Sequence, residues 1–71
     1  MNQFTKTIDG IPFVFQGFME GNDEVCRVTV DNHNFKMIVG ESGEWEIWQQ
    51  VPNWIKRLEK DLREAIDKEY C

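Results

Sequence analysis

The residues able to do chemistry in this chain are few and widely spaced. His33 is the only histidine, with Asp31 two positions before it. A zinc site draws on three or four protein ligands, and neither a second histidine nor a close cysteine pair is there to complete one. His33 therefore reads as part of a turn, Asp31-Asn32-His33-Asn34. Ser42 lies between Glu41 and Gly43, outside any Gly-x-Ser-x-Gly elbow, and reads as a turn residue too. Cys26 sits in an alternating run that points it inward, where a thiol is inert, so it is not expected to pair with His33. Gly40 and Gly43 lead into a strand rather than a helix and form no phosphate cradle. The segment Glu44-Trp45-Glu46-Ile47-Trp48 mixes carboxylates with aromatic rings, as carbohydrate-processing clefts do. General acid and base groups need a concave site that fixes their separation, and 71 residues leave few loops to build one. The expectation is a non-enzymatic protein with no catalytic residue, no metal ligand and no cofactor.

A weaker chemical signal comes from Glu20, Asp23, Glu24, Glu41 and Glu44, which lie in or beside the second and fourth turns. In a meander these turns share one end of the sheet, where the C-terminus of a descending helix would add the negative end of its dipole. This supports an alternative reading as a small-ligand or cation-binding domain. The Asp-x-Asx-x-Asx-Gly spacing of a calcium loop is missing, however, and hydrated hairpin tips are the simpler expectation.

Seventy-one residues enclose a single core, so residues 1–71 are read as one domain. With 41% hydrophobic, 13% aromatic and 30% charged residues, the chain can collapse rather than stay disordered. Trp45, Trp48, Trp54 and the five phenylalanines supply large apolar areas for a core built without cross-links. The net charge of -5 repels phosphate backbones and anionic lipid, so neither nucleic acid nor a membrane is expected as a partner. It suits a basic partner instead. Two cysteines, Cys26 and Cys71, make no disulfide framework, and a bridge between them is not expected. Residues 1–7 lack the basic-then-apolar pattern of a secretory leader, and no apolar run reaches membrane-spanning length. A cytoplasmic location is the expectation.

The elements follow from turn chemistry and period. Asp9-Gly10 separates Phe4 to Ile8 from Ile11 to Phe18, a type I′ hairpin signal that sets Ile8 opposite Ile11 and Phe4 opposite Phe15, with Lys6 the exception on an apolar face. Pro12, which cannot donate a ladder bond, implies incomplete pairing with the third strand at that end. Met19 to Glu24 reads as a loop. Val25 to Val30 and Phe35 to Val39 alternate as strands, and a four-residue connection would pair Val30 with Phe35 and Val28 with Met37. After the turn at Gly40 to Gly43, Glu44 to Gln50 makes a fifth strand. Pro52-Asn53 then opens a helix, with Asn53 a candidate cap. Trp54, Ile55, Leu58, Leu62, Ala65 and Ile66 form its apolar stripe, and Glu59, Lys60, Arg63, Glu64 and Lys68 make a solvated charged face of (i, i+4) pairs. The fold class is therefore α+β: an antiparallel β-meander of four to five strands with one C-terminal amphipathic helix packed on one sheet face.

A single helix covers one face only. The helix stripe is expected over Phe13, Phe15, Cys26, Val28, Val30, Phe35, Met37, Trp45 and Ile47. On the opposite face Val14, Phe18, Ile38 and Trp48 remain without cover, beside Arg27. Contiguous exposed apolar residues mark interfaces, so Val14, Phe18, Arg27, Ile38 and Trp48 are the candidate interaction face, for a protein partner or for a second copy in a homodimer. The turn reading is open to a direct check. Replacing Gly10 by Val, a β-branched residue that resists the positive φ of the turn, is expected to lower the thermal midpoint, and an unchanged midpoint would exclude the turn.

Overall fold

The computed structural model describes residues 3–70. Five strands form one sheet in chain order: β1 (Phe4–Ile8), β2 (Ile11–Glu20), β3 (Asp23–Val30), β4 (His33–Val39) and β5 (Trp45–Ile47). Each neighbouring pair is antiparallel. Two helical segments follow, α1 (Asn53–Lys56) and α2 (Glu59–Tyr70). This is the α+β meander with a C-terminal helix that period and turn chemistry imply.

Three of the four connections in the meander are two-residue turns, and residues 40–44 make the fourth. Asp9 and Gly10 both take positive φ, 55° and 76°, as a type I′ turn requires, and the register is the expected one: Phe4 opposite Phe15, Lys6 opposite Phe13, Ile8 opposite Ile11. The next two connections are tighter than the sequence suggests. Gly21 and Asn22 alone join β2 to β3, which run to Glu20 and from Asp23, so Met19 to Glu24 is not a loop. Asp31 and Asn32 alone join β3 to β4, with φ of 44° and 68°. Short Asx side chains tolerate the left-handed region that bulkier residues resist. His33 and Asn34 therefore belong to β4. The observed pairs are Val30 with His33, Val28 with Phe35 and Cys26 with Met37, two residues away from the expected register. A slip of two preserves which side chains face which way, so the predicted core face survives the error.

In such a hairpin the residues flanking the turn exchange hydrogen bonds and the next pair does not. Pro12, opposite Thr7, thus directs its missing N–H toward β3, whose ladder with β2 begins only at Val14. β5 spans just Trp45–Ile47 rather than Glu44 to Gln50, although the Trp48 N–H still donates to the Lys36 carbonyl at 2.8 Å.

On one face Phe13, Phe15, Cys26, Val28 and Met37 are fully buried against Ile55, Leu62 and Ile66, each large apolar side chain contributing about 1.5–3 kcal/mol by leaving water. The apolar stripe runs across a break in the helix. The Leu58 N–H bonds the carbonyl of Ile55, three residues back, at 2.9 Å, and this tightened turn separates α1 from α2. Nor does Asn53 cap the helix. It is the first helical residue, Pro52 holds the cap position without a side-chain hydrogen bond, and the Pro52 carbonyl accepts from Ile55 and Lys56.

The charged face of α2 departs most from the solvated reading. Glu59 and Arg63, one helical turn apart, both reach the backbone of β5. A Glu59 carboxylate oxygen accepts the Ile47 N–H at 2.8 Å, and Arg63 Nε donates to the Trp45 carbonyl at 2.8 Å. Because Glu46 and Trp48 face β4 in the ladder, these are outward groups of an edge strand. Partial burial of the Glu59 carboxyl opposes its ionisation, but the Ile47 N–H, the Lys56 ammonium at 3.0 Å and Arg63 outweigh it and hold the group below its ordinary value of 4.5. A depressed folded value stabilises the fold above the unfolded value and loses that contribution as pH falls through the folded one. Wild type should therefore exceed Glu59→Gln in urea midpoint at about pH 7, with the gap closing by about pH 3. A gap independent of pH would show that the charge of Glu59 does nothing for the edge.

Candidate functional site

The sheet face turned away from α2 follows from the registers. Phe18, Val25, Ile38 and Glu46 form one row across β2 to β5, and Gln16, Arg27 and Lys36 form the next, with Trp48 beside Lys36. Thr5, Val14, Thr29 and Asn34 form a third. Of the predicted interface residues, Phe18, Ile38 and Trp48 come together at the lower end of this face, with Arg27 beside them. Val14 does not join them. It is half-buried in the row of Thr5, Thr29 and Asn34, where Thr29 Oγ1 and Asn34 Oδ1 are 2.7 Å apart.

Val25, not among the five residues expected on this face, is its centre, between Phe18 and Ile38. It is only 1% exposed although no helix lies over it. Its neighbours on either side, Phe18 and Ile38, are half-buried, and the long side chains around them supply the remaining cover. Alternation along β3 already placed Val25 with Arg27 and Thr29, so the signal was present; what it could not give was the depth of burial, which depends on how neighbouring cations lie.

Those cations are arranged by a conflict. Arg27 and Lys36 are directly opposite on β3 and β4, in a pair that does not exchange hydrogen bonds and so brings side chains close. Like charges so placed repel. Each turns to a different aromatic ring: the Arg27 guanidinium carbon lies 5.5 Å from the Phe18 centroid, and Lys36 Nζ lies 5.9 Å from that of Trp48. Exposed contacts of this kind are worth about 0.5–1 kcal/mol. Lys36 also forms an ion pair with Glu20 at 3.0 Å, bridging the row above Val25.

Between these groups is a hollow of about 320 Å3, lined by Val25, Ile38 and Val39, by Trp48, and by Glu20, Asp23, Glu24 and Lys36. Trp48 remains 61% exposed at its side. The hollow combines an apolar floor and an accessible indole ring with Asp23 and the Lys36–Glu20 ion pair at its rim.

The acidic turn residues do not converge into a metal site. Glu20 is engaged by Lys36, and Glu44 lies 3.7 Å from Arg63. Among the described residues no group of three His, Cys, Asp or Glu side chains is placed to hold a metal ion. His33 packs edge-on against Trp54 of α1, with centroids 6.1 Å apart. Among the described residues no helix is long and apolar enough to cross a membrane.

Compared with known proteins, the chain matches no protein-family model and shows no significant similarity to a curated protein or a solved structure.

Cys26 is fully buried in the core, and desolvation raises its thiol from 9.0 to about 11. The expected inward placement holds; Cys71 lies outside the described residues. In a Cys71→Ser background, iodoacetamide should modify Cys26 only as fast as the protein unfolds, so mild urea should accelerate labelling in step with the unfolding transition. Rapid labelling of the native protein would contradict this burial.

Proposed function

We propose that the chain is a non-enzymatic protein-interaction module that presents the sheet face opposite α2 to a protein partner. The observation that carries this reading is the hollow over Val25, with Trp48 exposed beside it. A tryptophan left largely in water next to a preformed apolar depression is a costly arrangement for a monomer, whereas a partner burying that ring would recover its large apolar area. The face is rich in groups that recognise other proteins, an indole, a guanidinium and carboxylates, and holds none of the nucleophile–base arrangements that chemistry requires. The net charge of -5 favours partners of opposite charge and works against close approach of two copies.

Trp48→Glu is the direct test. The variant should keep the circular dichroism spectrum and nearly the stability of wild type, losing only the contact with Lys36, while its binding to a partner isolated with the wild-type protein should fall by a factor of about 30 or more, as for a hot-spot tryptophan. Sedimentation of wild type at several concentrations identifies self-association if the partner is a second copy. A wild-type chain that stays monomeric, with partner capture indifferent to Trp48, would remove this reading.

A further inference from the structure

Resting on the reading of this face as the docking surface, we propose that the Lys36–Glu20 ion pair is a strap across it, which holds the apolar floor covered and which a partner must open to dock. The registers place the pair. Lys36 lies on β4 in the row of Gln16 and Arg27, and Glu20 lies on β2 in the row of Asp23. β3 runs between those strands, and the row of Phe18, Val25 and Ile38 runs between those rows. Val25 therefore sits at the midpoint of the diagonal that joins the two side chains. Lys36 Nζ, at 3.0 Å and 3.2 Å from the two Glu20 carboxylate oxygens, closes that diagonal over it.

The burial of Val25 follows this crossing. Val14, Phe18 and Ile38 face the same way with no helix over them and are half-buried, as is Thr29 on β3 itself, whereas Val25 is 1% exposed. A place on the central strand is thus not enough to seal a residue on this side. The strap also meets the exposed ring: Lys36 Nζ lies 5.9 Å from the Trp48 centroid, so a partner closing over the indole has to displace it. Opening costs little. Glu20 is exposed and Lys36 half-buried, and an ion pair so placed is weak and screened by salt. An aliphatic stem lying passively over the sheet would cover it whatever the charge at its end, and this is the difference the test exploits.

The experiment measures Val25 directly. In nuclear magnetic resonance of the full chain, broadening of the Val25 methyl signals by a neutral gadolinium chelate reports their access to solvent. At about 0.01 M salt, Glu20→Gln should raise that broadening about two- to fivefold over wild type, the gain in open population expected when a surface ion pair is lost. Wild type should approach the variant at about 1 M salt, where the screening length is about 3 Å, and the variant should not respond to salt. Lys36→Ala, which removes the stem as well, should expose Val25 at least as much. Amide spectra away from the face should be unchanged in both variants. A partner isolated with the wild-type protein should bind Glu20→Gln about two- to fivefold more tightly. Val25 methyls equally protected in wild type and Glu20→Gln at every salt concentration would overturn the proposal, and exposure by Lys36→Ala alone would show a passive stem in place of a strap. Equal or weaker partner binding by Glu20→Gln would overturn it too, and leave the interaction face standing as long as capture depends on Trp48. Indifference to Trp48 removes that face and is read from a different variant, so the two failures are distinct.

Discussion

The clasp between Glu59, Arg63 and the outer edge of β5 is the interaction on which the arrangement turns. An amphipathic stripe alone holds a helix to a sheet without deciding where along the sheet it sits, because apolar contact has no direction. The two hydrogen bonds from consecutive turns of α2, to the Ile47 N–H and the Trp45 carbonyl, provide direction. Glu59 bonds the later residue of β5 and Arg63 the earlier, so α2 descends beside β5 toward the turn that precedes it. The break at Leu58 fits the same geometry: α1 carries Trp54 to His33 at one end of the sheet, and a fresh helix starting at Glu59 sets that carboxylate in its first turn, where the helix dipole favours it.

Fixing the helix on one face leaves the other to be organised without it. The sheet does this with long charged side chains rather than a second layer. Arg27 and Lys36 spread over Phe18 and Trp48 instead of meeting each other, and Val25 between them is as dry as the residues beneath the helix. Cation stems thus cover apolar surface while their heads remain in solvent. The protein therefore has a main core under α2 and a thin second one covered by side chains alone, and the hollow lies where that cover is incomplete.

How far the sequence revealed this depends on the kind of interaction. Asp9-Gly10 gave its turn and register outright, because positive φ at both positions is a local demand that few residues meet. Asp31-Asn32 meets it as well, but the polar residues that follow, His33 and Asn34, blurred where the turn ended. The core face was legible despite that error, since alternation fixes parity and parity outlives a slip of two. Glu59 and Arg63 were visible as an (i, i+4) pair, yet nothing local distinguishes a pair bonded to each other from a pair bonded to a strand twelve and eighteen residues away. The interaction face was legible in part: alternation found Phe18, Ile38 and Trp48 and already put Gln16 between Val14 and Phe18, but it carries no depth of burial and could not show that Val25 would be sealed.

The occupied edge at β5 has a counterpart at β1, whose far side no strand of the sheet covers. Ladder alternation from the Ile8–Ile11 pair turns the N–H and C=O groups of Thr5 and Thr7 outward. A sheet with two bare edges can recruit a neighbour on each side, and those neighbours can recruit others, which is the route to a filament. With the helix holding one edge, lateral joining uses β1 alone. Two molecules meeting edge to edge would each spend their only bare strand on the other, and the assembly would close at a pair. Lys6, charged and on the inward face of that strand, sits where such a pairing would have to form. The same two residues of α2 that position the helix therefore also take the Ile47 N–H and the Trp45 carbonyl out of reach of a neighbouring strand.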